Sequence, residues 1–140
     1  MTFDRIEGAE PDKTLKLLVQ KFSRLEGRQP RAMVCRKRES EAYQLIQEIS
    51  VDLAGFGFDV DIGIPFDSFF KLGMNAIEND ADLLILFGLE GNSSEDFVTE
   101  LNEFLSEKGY SDLLILVQHR DFSLPTIIEE LIKWLGQGLQ

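Results

Sequence analysis

The stretch Cys35-Arg36-Lys37-Arg38-Glu39-Ser40-Glu41 follows a short apolar run and precedes a helical pattern. A thiol with three cations beside it could be a low-pKa nucleophile. Phosphoryl transfer through such a thiolate wants Cys, five residues, then Arg. The sixth residue after Cys35 is Glu41, whose charge would repel a phosphate. A backbone phosphate cradle is also excluded, because the loop has no glycine to let N–H groups approach an anion. His119 is the only histidine, which removes any paired-histidine metal site and leaves it as a lone general base or a polar loop residue. Gly55-Phe56-Gly57-Phe58-Asp59-Val60 superficially resembles a dinucleotide fingerprint, but it follows a helix and opens a strand, the reverse of what that motif needs. A phosphorylatable receiver site would need acids after the first strand and an Asp ending the third. The sequence offers Arg36-Lys37-Arg38 and Phe87-Gly88 instead.

These residues must be placed by elements that hydrophobic periodicity makes legible. Pro11 suits a first helical turn, and Leu15, Leu18, Phe22 and Leu25 give one apolar face to 12–25, with Gly27 and Pro30 as stops. Residues 31–35 predict a buried strand and 40–54 a helix ending at Gly55. The alternating segment 56–63 predicts a half-buried strand and 67–79 a helix capped by Asp67 or Ser68. The continuous apolar run at 81–88 predicts a central parallel strand. A helix follows from Ser93 or Ser94 to Gly109, then a fourth strand at 112–117 and a last helix at 125–135. Phe69 and Phe70 are adjacent on one helix and cannot both face inward, so one is expected at an interface or a pocket lid. Strand–helix alternation without repeats predicts an open, doubly wound parallel sheet, flavodoxin-like (Rossmann-like), in the order 2-1-3-4. Any pocket would then lie above the carboxyl ends of strands 1 and 3, at the switch point.

Composition narrows the functional classes. A chain of 140 residues is one domain's length. No run is long and apolar enough for a membrane span, the amino terminus lacks a secretory pattern, and the single cysteine excludes an internal disulfide. These features predict a cytoplasmic protein. The net charge of −11 argues against nucleic acid as a partner. The charge is uneven: residues 1–38 carry about +5 and the remainder about −16. Arg28, Arg31, Arg36, Lys37 and Arg38 are therefore a candidate docking or anion patch, or simply a solvated basic face.

Four blocks carry a resemblance. Residues 26–34 (EGRQPRAMV), 53–63 (LAGFGFDVDIG), Phe66 and 76–86 (AIENDADLLIL) are similar, in the same order and almost without gaps from Arg28 to Leu89, to the cobalamin-binding domain of methylmalonyl-CoA mutases. The similarity weakens through 93–117. The resemblance implies a leader and helix at 1–27 and a cobalamin-domain-like unit at 28–140. It also implies a pocket built on an Asp-x-His-x-x-Gly loop, a Ser-x-Leu turn after strand 3 and a Gly-Gly pair after strand 4. Carried over by position, the first motif falls on Ser40, Ala42 and Leu45, the second on Phe87 and Leu89, and the third on Gln118 and His119. Of these only Leu89 matches. A methyl at Ala42 cannot ligate cobalt, and Phe87 with Leu45 is expected to fill the slot for the nucleotide arm. A fifth strand also looks lost.

The expectations follow: no catalytic residue, no metal and no cofactor. The chain would act as a non-catalytic subunit or accessory partner of a mutase-type isomerase, associating with a large subunit, an assembly factor or itself. The alternative is a small-ligand protein that takes cobalamin without a histidine ligand, or another anionic molecule at the strand ends. An enzyme using Cys35 or His119 is the third reading.

Overall fold

A computed structural model describes residues 10–91, 93–119 and 123–138; the leader at 1–9 lies outside them. The element order is α1 (Pro11–Glu26), β1 (Arg31–Arg36), α2 (Tyr43–Gly55), β2 (Asp59–Ile62), α3 (Phe69–Glu78), β3 (Leu83–Phe87), α4 (Ser93–Glu107), β4 (Leu114–Gln118) and α5 (Leu124–Gly138). The strands form one parallel sheet in the order β2-β1-β3-β4. The expected topology is therefore observed, and the described residues hold four strands.

Alternation along the strands sends side chains into two cores. Ala32, Val34, Leu83, Ile85, Phe87 and Leu116 face α1, α2 and α5, which contribute Leu15, Leu18, Ile46, Ile49, Ile128 and Leu131. Met33, Cys35, Leu84 and Leu86 face α3 and α4, meeting Leu72, Ala76, Leu101 and Leu105. β3 is buried at all five positions, as its unbroken apolar run required. The leading helix belongs to the first core through Leu15, Leu18 and Val19, and packs against α5.

Boundaries follow local chemistry. Gly27 takes φ 73° and its N–H donates to Ser23 O, ending α1. The Ser68 side chain accepts from Lys71 N and starts α3. β2 is shorter than the alternation in 56–63 suggested, because Phe56 caps α2 and Phe58 is buried in the turn before the strand. Phe69 and Phe70 both meet the edge of Phe104, at centroid distances of 6.3 and 5.3 Å. Phe69 packs on the α3–α4 core, and Phe70 is left 55% exposed.

Candidate functional site: a cleft above the sheet

The carboxyl ends of β1, β3 and β4 rise into one open cleft of about 730 Å³. It is lined by Lys37, Glu39, Ser40, Glu41, Ala42 and Leu45 from the β1–α2 connection, Phe87 to Glu90 after β3, and Gln118 and His119 after β4. That volume lies within the usual range for small-molecule sites. The seven positions singled out from three distant motifs, Ser40, Ala42, Leu45, Phe87, Leu89, Gln118 and His119, all lie on this one surface.

The β1–α2 loop is held in a defined shape. Lys37 N donates to Phe87 O at 2.9 Å and Arg38 N to Phe66 O at 2.8 Å, extending the sheet past β1. Ser40 N then donates to Lys37 O, and Ser40 Oγ accepts from Ala42 N at 3.2 Å, turning the chain into α2. The Arg36 guanidinium lies 4.1 Å from the Tyr43 ring and donates to the carbonyls of Arg38 and Ser40, each at 3.0 Å. It bridges the two feet of the loop and is not free to bind an anion.

Two features of the cleft were not anticipated. Gly88, at φ 95°, passes so close to the loop that a Cβ there would lie 2.8 Å from Ser40 Cβ and 3.0 Å from Lys37 Cβ. Its signal in the sequence is the single glycine between two bulky side chains, Phe87 and Leu89. The cleft is also acidic, with Glu39, Glu41 and Glu90 against Lys37. This weakens the alternative of a generic anion site.

The proposed basic patch does not exist as one surface. Arg28 and Arg31 sit at the amino end of β1, where Asp82 accepts from Arg28 Nη1 and Nη2 at 2.7 and 2.9 Å and from Arg31 N at 2.8 Å. Asp82, chiefly through that hydrogen bond, raises the Arg28 pKa. Arg31 also lies 3.5 Å from Asp80. Arg36, Lys37 and Arg38 are at the other end, and Arg38 pairs with Asp67 at 3.6 Å. Of the five, only Lys37 lines the cleft.

Nor does the loop present the Cys35 thiol as a nucleophile. Cys35 is wholly buried beneath it, in the α3–α4 core, and a Cβ at Gly63 would collide with its sulfur. Burial pushes the thiol up to about 12, so the neighbouring cations do not activate it. His119 is exposed on the cleft wall. Among the described residues no cluster of three or more His, Cys, Asp or Glu could hold a metal ion.

Parallel order 2-1-3-4, a leading helix and a cleft at the switch point define a flavodoxin-like α/β domain with an open cleft at the strand carboxyl ends. No family model matches the chain. It is 28% identical over 110 residues to a methylmalonyl-CoA mutase of Cereibacter sphaeroides, covering 79% of this chain and 15% of that protein. It is 30% identical over 100 residues to the methylmalonyl-CoA mutase large subunit of Propionibacterium freudenreichii subsp. shermanii, covering 71% of this chain and 14% of that one. The human mitochondrial methylmalonyl-CoA mutase is 30% identical over 98 residues, 70% of this chain and 13% of the enzyme. The chain thus matches only a small part of the mutases' length. Among solved structures, a cobalamin-binding protein from Desulfitobacterium hafniense DCB-2 aligns with 93% of this chain and 63% of its own, at 15% identity and a TM-score of 0.45. The chain is a cobalamin-binding-domain-like protein related to methylmalonyl-CoA mutases.

The expectation of no cofactor is corrected by these findings. The relatives are mutases, and the slot is not filled in the way the side-chain volumes suggested. Phe87 shares the face of Leu83 and Ile85, so its ring turns down into the α1–α2–α5 core and is 1% exposed. Leu45 packs against the same core from above. Both side chains form the floor of the cleft and leave the space above it open. The open cleft above this floor could seat only part of a group as large as a corrinoid, and Ala42 supplies no metal ligand. Among the described residues no helix is long and apolar enough to cross a membrane.

Proposed function

We propose that this chain holds a corrinoid in the cleft above β1, β3 and β4 without an imidazole from the β1–α2 loop, and that it works beside a mutase-type catalytic chain. The observation that supports this reading is the convergence of seven positions, drawn from three separate motifs, on one open cleft. A bound cobalamin would supply cobalt–carbon chemistry. Gly88 would keep the β1–α2 loop packed close against the turn after β3, and Phe87 and Leu45 would support the ring from below. Lys37 and the carboxylates of Glu39, Glu41 and Glu90 would meet the polar edge of the corrinoid through hydrogen bonds. The Cys35 thiol is buried outside the cleft, and carbon-skeleton rearrangement would fall to another polypeptide.

The test is gel filtration after mixing with hydroxocobalamin, read by visible absorbance. Wild type should carry the corrinoid colour with the protein peak, and Gly88→Val should lose at least tenfold in affinity by pushing the loop into the cleft. A His119→Ala variant that retains both binding and spectrum would agree with a histidine-independent mode. A colourless protein peak at saturating cobalamin would overturn the proposal. The partner half is tested separately, by co-elution with a methylmalonyl-CoA mutase large subunit.

A further inference from the structure

Among the described residues the sheet ends at β2 on one side and β4 on the other, and the two margins are built differently. β2, Asp59-Val60-Asp61-Ile62, carries two exposed carboxylates on four residues. Inserted charge is a standard way of keeping an edge from pairing. β4, Leu114-Ile115-Leu116-Val117-Gln118, has none of these protections: no charge, no proline and no bulge. The uncharged run extends from Leu113 through Gln118, with His119 beyond it, in a chain of net charge −11. Four of the five β4 side chains are only partly buried, although β3 beside it is buried throughout. No described strand lies beyond β4.

The ladder geometry says which backbone groups are open. Leu114 N donates inward to Asp82 O, and β4 pairs in parallel register with β3. Alternation directs Leu116 and Gln118 the same way, and turns the N–H and C=O of Ile115 and Val117 outward.

We propose that the β4 edge is a homodimerisation surface, on which a second copy of this chain adds its own β4 antiparallel across a two-fold axis at Leu116. That axis sets Leu116 opposite Leu116 of the second copy, Ile115 opposite Val117, and Leu114 opposite Gln118. The two outward-facing residues of each strand thereby meet the two outward-facing residues of the other, so both pairs exchange hydrogen bonds and a continuous eight-stranded sheet results. The Leu116–Leu116 and Ile115–Val117 pairs are apolar, one on each face of the sheet, which suits β-branched and leucine cross-strand contacts, and Gln118 lies at the rim opposite Leu114. A second copy is favoured over a charged partner strand because the edge is neutral and self-complementary, whereas copies approaching through β2 would set Asp59 and Asp61 against each other. The proposal does not depend on what the cleft binds.

Each copy carries a net charge of −11, so two copies repel one another through their overall charge. Dimerisation should therefore strengthen with salt. Sedimentation velocity on the full chain should show a concentration-dependent dimer, tighter at 0.5 M than at 0.05 M NaCl. Val117→Lys should weaken it at least tenfold with an unchanged far-UV circular dichroism spectrum, and Ile62→Lys on the opposite margin should leave it intact. Should Val117→Lys fail to fold, amide exchange of the wild type still decides. The Ile115 and Val117 N–H groups should gain protection as protein concentration rises, while the Val60 and Ile62 amides, which point outward from β2, should not. A wild type that stays monomeric at 100 μM, a dimer indifferent to Val117→Lys, one lost on Ile62→Lys, or one needing a mutase chain would each overturn the assignment.

Discussion

The two ends of β1 make opposite use of the same kinds of residue. At the amino end, Arg28, Arg31 and Asp82 are committed to one another: one carboxylate accepts three hydrogen bonds and ties the chain before β1 to the chain before β3. At the carboxyl end, Lys37, Glu39, Glu41 and Glu90 surround open space, and the loop is shaped by backbone hydrogen bonds and the Arg36–Tyr43 contact. Polar groups stabilise the fold at one end and face a ligand-sized cleft at the other. Parallel sheets place binding sites at the strand carboxyl ends, so the asymmetry follows from topology.

That contrast can be probed by substitutions whose effects should differ in size and kind. The largest is expected at the cleft floor. Phe87→Ala removes a fully buried ring from the α1–α2–α5 core and should cost about 3–5 kcal/mol in urea denaturation, deepening the cleft as it does so. A loss below about 1 kcal/mol would mean that the ring does not form the floor. At the amino end, Asp82→Ala leaves the Arg31 N–H and the Arg28 guanidinium without their acceptor. The pair is partly exposed, at 36% and 20%, so the expected cost is only about 1–2 kcal/mol, with cobalamin retention unchanged. Any change in corrinoid binding would break the proposed separation of the two ends.

The third probe concerns the sulfur beneath the loop. Burial raises the Cys35 pKa from 9.0 to about 12, so the unfolded chain loses its proton first. The stability associated with the neutral thiol is complete below about pH 9 and declines as pH rises toward 12. The decline should reach about 1–1.5 kcal/mol by pH 10 and be absent in Cys35→Ala, measured by urea midpoints at each pH. A thiol that reacts rapidly with Ellman's reagent at pH 8 in the native protein would contradict its burial.

Much of this molecule was legible before any coordinates. The run at 81–88 could only be a strand covered on both faces, and β3 is buried at every position. The alternation of strands with amphipathic helices led to the order 2-1-3-4. The β2 boundary was less legible, because Phe56 and Phe58 mimic strand alternation while serving a helix cap and a turn. The arginines cluster in sequence but not in space, and spacing alone shows why. A strand rises about 3.3 Å per residue, so Arg31 and Arg36 stand about 17 Å apart at opposite ends of β1.

By itself, the chain's order of residues determined which positions reach the cleft, because strand ends and loop lengths are local properties written in hydrophobic period and turn chemistry. Whether those positions leave a space between them was decided only in three dimensions. A phenylalanine fills a pocket or supports its floor according to the face of the sheet onto which the pleat turns it. For Phe87 that face is set by helices α1, α2 and α5, whose burial of apolar surface draws the ring downward and leaves Gly88 at the opening.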